Sequence, residues 1–194
     1  RLNGVDFDLA VLTNLKHEHL DFHGSFEAYR AAKGRLFEML SESVHKIDSF
    51  GNSVPKVSVI NNDDDNADFF KAFAADKQIT YALRTDSDYR GRDIRYDADL
   101  IRFKLPDIWT DLDEDDLERE FSLYLAGEFN VYNALAALAA ADALVDEDDV
   151  TPAYLTDGLE NVQAIAGRME RINEGQAFTA IVDFAHTPNA LENA

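Results

Sequence analysis

The sequence predicts an α/β protein: a mostly parallel sheet flanked by helices, with a smaller antiparallel sheet beside it. Three observations carry this expectation. Asp8–Thr13, Val57–Ile60 and Ile79–Leu83 are short apolar runs of the kind buried in parallel sheets. Segments of helical spacing separate these runs, as in βαβ units. Ile94–Tyr96, Leu100–Leu105 and Phe121–Leu125 suit strands of a second, partly exposed sheet.

The elements follow in order. After Asp8–Thr13 come polar and His-rich residues from Asn14 to Gly24. Ligands of open α/β sheets bind where strands end at their carboxyl edge. Ser25 suits a helix N-cap, its side-chain oxygen accepting a free backbone N–H. Phe26, Tyr29, Leu36, Phe37 and Leu40 then recur along one helical face, with Lys33 on or beside it. Ser43–Pro55 reads as a loop. Asn61–Asp65 is the turn after the second run, and Ala67–Ala75 is expected to be helical. Asp111–Glu120 reads as an acidic solvated turn or short helix. Asn130–Val145 is rich in Ala and Leu, the best helix formers. Thr151-Pro152 starts another helix, proline being favoured in a first turn. Gly167 breaks the pattern, Phe178–Asp183 reads as a further buried strand, and Thr187-Pro188 opens a last helix.

Composition narrows the classes of function. No run of about 18 apolar residues is present, so no membrane-spanning helix is expected. The absence of cysteine excludes disulfides, thiolate metal sites and Cys nucleophiles, and suits a cytoplasmic protein. With 38 acidic against 18 basic residues the net charge is −20, which repels phosphate backbones and argues against a nucleic-acid partner. The excess, mostly Asp, reads as a solvated acidic face or as adaptation to salt.

Several residues can carry chemistry. His19 lies among Glu18, Asp21 and His23 just past a strand; imidazole with carboxylate can hold a divalent metal, although a polar loop explains the same residues. Lys33 reads as a solvated helix lysine, yet Ala31, Ala32 and Gly34 leave room around it. Asn130 and Asn133 share a helix face, which suits a double cap or a ligand contact. Arg168 follows a glycine and can lay its planar fork on a phosphate or pair with Glu170. Asp183 ends a strand, where a carboxylate can accept ribose hydroxyls. His186 shares its turn.

Five segments in fixed order carry a resemblance. They are Thr13-Asn14-Leu15 with His19-Leu20-Asp21-Phe22-His23-Gly24, Ala31-Ala32-Lys33, Gly127-Glu128-Phe129-Asn130-Val131-Tyr132-Asn133-Ala134, Gly167-Arg168-Met169-Glu170 and Asp183-Phe184-Ala185-His186-Thr187-Pro188. Together they resemble the Mur ligases, ATP-dependent amide-forming enzymes of peptidoglycan synthesis, and the wording is nearest to the tripeptide-forming members. The match is strong over the first forty residues and from Gly127 onward. Ser43 to Phe121 is variable.

The resemblance implies a central ATP-binding domain over residues 1–171 and the start of a Rossmann-like C-terminal domain over 172–194. It implies that His19 contacts a catalytic magnesium and that Lys33 is carbamylated, giving a carboxylate-like group beside the same metal. Partial burial of Lys33 would favour the neutral amine that carbamylation needs. Asn130, Asn133, Arg168, Asp183 and His186 fall at the ATP site by the same resemblance, His186 on its nucleotide or substrate side, and Arg1 at the substrate. The substrates implied are UDP-MurNAc-L-Ala-D-Glu and a third amino acid, diaminopimelate or lysine, with ATP and Mg²⁺ as cofactors; the oligomeric state is not fixed by the sequence, and a monomer is the expectation. Glu18 stands where the family commonly has Asp. The sequence contains no Gly-Lys-Thr-type phosphate loop. The chain is therefore expected to be a piece of a longer enzyme, inactive alone. Two other readings stay open: a folylpolyglutamate- or cyanophycin-synthetase-type ligase, and a non-catalytic acidic binding domain that keeps the fold.

Overall fold

A computed structural model describes residues 4–16, 23–97, 100–106, 118–144, 152–186 and 191. The chain divides into two compact units, residues 1–90 with 135–146, and residues 91–134 with 147–194.

The first unit is built on a parallel sheet. Its strands are β1 (Leu9–Leu12), β2 (Val57–Asn61), β3 (Lys77–Ala82) and β4 (Tyr89–Arg90), in spatial order β1-β2-β3-β4. Every residue of β2 is buried, as expected for an inner strand covered on both faces. Helix α1 (Phe26–Glu42) follows β1, and α2 (Ala67–Lys71) follows β2. Ser25 caps α1 as expected: its hydroxyl accepts from the Ala28 N–H at 3.1 Å. Tyr29, Phe37 and Leu40 are the buried large side chains of α1, and they pack with Ala10, Leu12, Leu15, Ile60 and Phe70.

Gly34 lets α2 and its flank come close. A Cβ there would stand 2.9 Å from Phe69 Cε1 and 3.0 Å from Phe73 Cζ. Those rings pack edge-on at 5.5 Å, and Phe73 also faces Phe37. The helix is shorter than the expected Ala67–Ala75. Chain curvature after Lys71 turns Phe73 toward α1, and the Phe73 N–H donates to Phe70 O.

A buried cation ties the amino end of the sheet together. Lys56 is 2% exposed. Its Nζ donates to Phe7 O at 2.8 Å, Val44 O at 2.7 Å and Asp8 Oδ1 at 3.1 Å. Lys46 holds the other Asp8 oxygen at 2.5 Å. Burial pushes the Asp8 carboxyl up, but hydrogen bonds from Lys46 and Lys56 outweigh it, so its pKa lies below the usual value. The expected loop Ser43–Pro55 is thereby fastened at its start. Its tip is a turn in which Asp48 Oδ1 accepts from the Phe50 and Asn52 N–H groups at 2.8 Å each.

The second unit contains an antiparallel sheet of β5 (Arg92–Tyr96), β6 (Ile101–Pro106) and β7 (Glu118–Leu123). Ile101, Phe103 and Leu105 alternate inward on β6, and Phe103 stacks on its cross-strand partner Phe121 at 5.3 Å. Helix α3 (Glu128–Asp142) begins in this unit, and the division falls within it. Helix α4 (Pro152–Glu160) packs on β7, and Glu160 accepts from the Ser122 N–H at 3.2 Å. Strands β8 (Glu170–Ile172) and β9 (Ala180–Val182) form an antiparallel pair.

Two expectations need correction. Glu118–Glu120 belong to β7, not to a solvated turn, because Lys104 of β6 faces Glu120 across the ladder and bonds Glu118 at 2.8 Å. The run Phe178–Asp183 is not buried. Only Ala180–Val182 is strand, its one partner among the described residues is the three-residue β8, and Phe178, Ile181 and Val182 are 71%, 46% and 48% exposed. Strands β4 and β8 had no apolar pattern to reveal them. The start of α4 at Thr151, the helix expected from Thr187-Pro188 and most of Asp111–Glu120 lie outside the described residues.

Gly34→Ala should lower stability by about 1 kcal/mol. Overpacking costs about 1–3 kcal/mol, against about 1 kcal/mol gained in helix propensity. The midpoint of urea unfolding reads the difference. A second expectation concerns acid. The folded-state pKa of Asp8 is lowered, so its stabilisation is complete above the unfolded carboxylate pKa of about 3.9 and is lost as pH falls through the folded value. Asp8→Asn should therefore be less stable at pH 7 and show a shallower decline of unfolding free energy below about pH 4.

Candidate functional site

The two C-terminal motifs meet at one turn. Gly167 and Met169 both have positive φ, 69° and 47°, and so turn the backbone sharply before β8. The Arg168 N–H donates to Ile165 O at 3.0 Å, and Glu170 Oε2 accepts from the Gly167 N–H at 2.8 Å. Glu170 thus serves the turn itself. Pairing of β8 with β9 then brings Asp183 back to it. Asp183 Oδ2 accepts from the Met169 N–H at 2.8 Å, and Oδ1 accepts from the Ala185 N–H at 2.7 Å. Phe184 N–H donates to Gly167 O at 2.8 Å. A carboxylate offers about four lone-pair sites, so Asp183 keeps capacity for another donor.

The guanidinium of Arg168 lies over the Phe184 ring, 5.9 Å from its centroid. Phe184 also meets His186 edge-on at 5.0 Å. His186 Nδ1 is 3.0 Å from Phe184 O, and a carbonyl only accepts. Nδ1 therefore carries the proton, and in the neutral ring Nε2 remains an acceptor.

Arg168 borders a cleft of about 350 Å³ within the second unit, within the usual size of small-ligand pockets. Tyr96, Tyr124, Gln163, Arg171 and the Leu125–Gly127 stretch also line it. Tyr96 Oη bonds Glu128 at 3.2 Å. Arg168 and Arg171 stand in this cleft beside the two tyrosines, together with the carboxylates of Asp97 and Glu170. Sequence reasoning missed Tyr96, Tyr124 and Gln163; Tyr96 was visible only as a strand residue.

Asn130 and Asn133 are held together, but differ in exposure. Asn130 is buried; its Nδ2 donates to Ala126 O at 2.7 Å, and its Oδ1 accepts from Asn133 Nδ2 at 3.1 Å. That makes it a lock on the start of α3. Asn133 is exposed. Gly127, with φ 92°, is obligatory just before, since a Cβ there would sit 2.5 Å from Phe129 Cε1.

Lys33 belongs to the first unit. The residue is exposed on α1, as a solvated helix lysine would be, with Nζ 5.5 Å from the Tyr29 ring centroid, and the partial burial that would favour carbamylation is not found. His23 approaches the same ring at 5.1 Å. His19 and Arg1 lie outside the described residues. Among the described residues no group of three or more His, Asp or Glu side chains can hold a metal. Magnesium keeps several waters and uses few protein ligands when phosphates are present. An ammonium group is no metal ligand, so a role for Lys33 at such an ion would require its conversion to a carboxylate-like group.

Parallel strands, a separate antiparallel sheet and a motif turn beside a polar cleft define an α/β fold with a candidate ligand site. Residues 1–141 match the Mur ligase middle domain, and the chain belongs to the Mur ligase family. Members of that family are ATP-dependent ligases. The chain is 43% identical over 194 residues to the UDP-N-acetylmuramyl-tripeptide synthetase of Roseiflexus sp. (strain RS-1), covering 99% of this chain and 36% of the relative. It is 41% identical over 194 residues to the UDP-N-acetylmuramoyl-L-alanyl-D-glutamate–2,6-diaminopimelate ligase of Geobacillus kaustophilus, covering 100% of this chain and 36% of the relative. A solved UDP-N-acetylmuramoyl-L-alanyl-D-glutamate–2,6-diaminopimelate ligase superposes with a TM-score of 0.71 at 33% identity, over 98% of this chain and 35% of that one. The chain thus spans about a third of the length of these relatives.

Asp183→Asn places an amide NH₂ against one of two backbone donors. Hydrogen bonds to charged groups contribute about 1.5–3 kcal/mol. Exchange of the Met169 or Ala185 amide should therefore accelerate about tenfold or more, measured by hydrogen exchange with NMR detection. Unchanged exchange at both would contradict the turn's dependence on this carboxylate.

Proposed function

We propose that this chain is the ATP-binding part of a ligase that adds the third amino acid to UDP-MurNAc-L-Ala-D-Glu. Residues 1–171 act as its middle domain, and 172–194 begin its C-terminal domain. The observation that carries the reading is the joining of Gly167–Glu170 to Asp183–His186 beside an arginine-lined cleft, in a chain whose relatives bear those names. The reaction runs in the cytoplasm on soluble precursors. The names of the relatives favour diaminopimelate as the third amino acid.

Bound ATP supplies a phosphoryl group to the D-Glu carboxylate, giving an acyl phosphate and ADP. The incoming amine then attacks the acyl carbon, loses a proton and expels phosphate, leaving an amide. A bound magnesium ion would supply positive charge to offset that of the phosphates. The chain's residues have separate tasks in this reading. Arg168 sets its planar fork against phosphate oxygens. Asp183 accepts a ribose hydroxyl with its remaining lone pairs, and Asn133 offers its amide to the nucleotide from an exposed position in the second turn of α3. Asn130 holds Asn133 in place. His186 presents Nε2 on the nucleotide or substrate side of the same turn. His19 and carbamylated Lys33 hold the metal, and Arg1 contacts the UDP-linked substrate. The 194 residues contain no Gly-Lys-Thr phosphate loop and should not catalyse ligation by themselves.

The full-length protein tests the reading. With ¹⁸O in the D-Glu carboxylate, one label should appear in released phosphate for each amide formed. Phosphate free of label would remove the acyl-phosphate route. Lys33→Ala should abolish most turnover, with partial recovery on adding a short carboxylic acid. Full activity of that variant would exclude the carbamate. His19→Ala should slow turnover by about two to three decades, the usual cost of losing one such electrostatic contact.

A further inference from the structure

Cations are few in this chain, 18 Lys and Arg against 38 acidic residues, and in the first unit several of them are paired. Arg35, Lys46, Lys56, Lys71 and Arg90 each meet a carboxylate oxygen. Lys16, Arg30 and Lys33 meet none among the described residues. These three follow β1 directly or sit in the first half of α1. Lys77, which also meets none, starts β3 and so stands at the opposite edge of the sheet.

A chain of contacts places Arg30 at the carboxyl edge. The Leu15 N–H donates to Asp64 Oδ2 at 2.7 Å, and Asp64 Oδ1 accepts from Asn66 Nδ2 at 3.1 Å. Asn66 Oδ1 then faces Arg30 Nη1 at 3.5 Å. Arg30 thus stands beside the residues that follow β1 and β2, and Lys16 is the neighbour of Leu15. Open α/β sheets bind their ligands at this edge.

The fork of Arg30 is held but scarcely used. A contact of 3.5 Å is at the limit of a hydrogen bond. The guanidinium carbon lies 4.7 Å from the Phe69 ring centroid. Stacking of this kind engages the face of the guanidinium and leaves its in-plane N–H donors for a partner. Packing does not call for a cation here. The Phe69 and Phe73 rings already close over Gly34, and a leucine or methionine would cover Phe69 without leaving a charge unmet.

We propose that Arg30, with Lys16, forms an oxyanion-binding pair at the carboxyl edge of the parallel sheet, taking the oxygens of a phosphate or carboxylate group. The planar fork of arginine matches either group through two parallel hydrogen bonds, and lysine adds a point charge. The site itself stands on this geometry. Which substrate fills it rests on the function proposed above: the phosphates of ATP, or the carboxylate of the UDP-linked peptide.

The test uses the full-length protein. Its Arg30 Nε–Hε NMR signal, identified by its loss in Arg30→Lys, should move saturably on addition of pyrophosphate or acetate, and less so at high salt. Anions that bind elsewhere leave this signal in place. In ligation kinetics, Arg30→Gln should raise one KM by about tenfold or more, the lower end for losing a hydrogen bond to a charged group. The kcat should stay within about threefold, as for an interaction made equally in ground and transition states. Arg30→Lys, which keeps the charge and loses the fork, should raise the same KM by less, as should Lys16→Gln. A raised KM for ATP assigns the pair to phosphate, and a raised KM for the UDP-linked peptide assigns it to carboxylate. An Arg30 signal that neither anion moves would overturn the proposal, as would both KM values within about twofold of wild type in Arg30→Gln. Failure of the function reading shows separately, as a protein that forms no amide while its Arg30 signal still answers to the anions.

Discussion

Parallel strands end with backbone donors that no neighbour completes, and in this chain aspartate side chains complete them. Asp63 accepts from the N–H groups of Leu83, Arg84 and Thr85, all within 2.9 Å. Asp64 accepts from Leu15 and Asn66, and Asp88 from the backbone and hydroxyl of Thr80. Asp76 accepts from the Lys56 N–H and meets His45 at 2.7 Å. Asp183 plays the same part in the second unit. Each carboxylate stands in a loop beside a strand end, Asp63, Asp64 and Asp183 after one and Asp76 and Asp88 before one. Loop geometry in both units therefore depends on ionised oxygens meeting N–H dipoles, a stronger bond than its neutral counterpart.

This changes the meaning of the acidic composition. Read as a sequence, the excess of Asp suggested a solvated face or salt adaptation. Part of it is instead structural, placed at turns where a short carboxylate reaches the backbone two or more residues away. The buried Lys56 with Asp8 shows the same economy in reverse: one cation gathers two carbonyls and a carboxylate that would otherwise be left dry.

Much of the fold was legible because its signals are local. The apolar runs of β1, β2 and β3, the Ser25 cap and the aromatic face of α1 each follow from period and residue type. Strand β8 was not legible: Glu170-Arg171-Ile172 has no pattern, and it forms because Ala180–Val182 returns to pair with it. The exposure of β9 was missed because a run such as Phe178–Val182 reads alike whether covered or not. Of the site, the motifs marked Arg168, Asp183 and Asn130, but not how they are held. Glu170 looked like a partner for Arg168 and proved to cap Gly167 instead. The bonds of Asn61, Asp64 and Tyr81 to the chain from Leu12 to Leu15 join residues about 50 to 70 positions apart, beyond any window of sequence pattern.

The loop between α1 and β2 is fastened at its root and closed on itself at its tip. Lys56 and Lys46 hold the root, and Asp48 turns the chain back so that Ile47 bridges Ser53, leaving Phe50 72% exposed. Root and tip share no side-chain bond. The tip is thus a natural port for grafting: a peptide tag or fluorescent reporter spliced at Phe50–Gly51 would leave the Lys56 fastening untouched and would fall outside every motif of its chemistry.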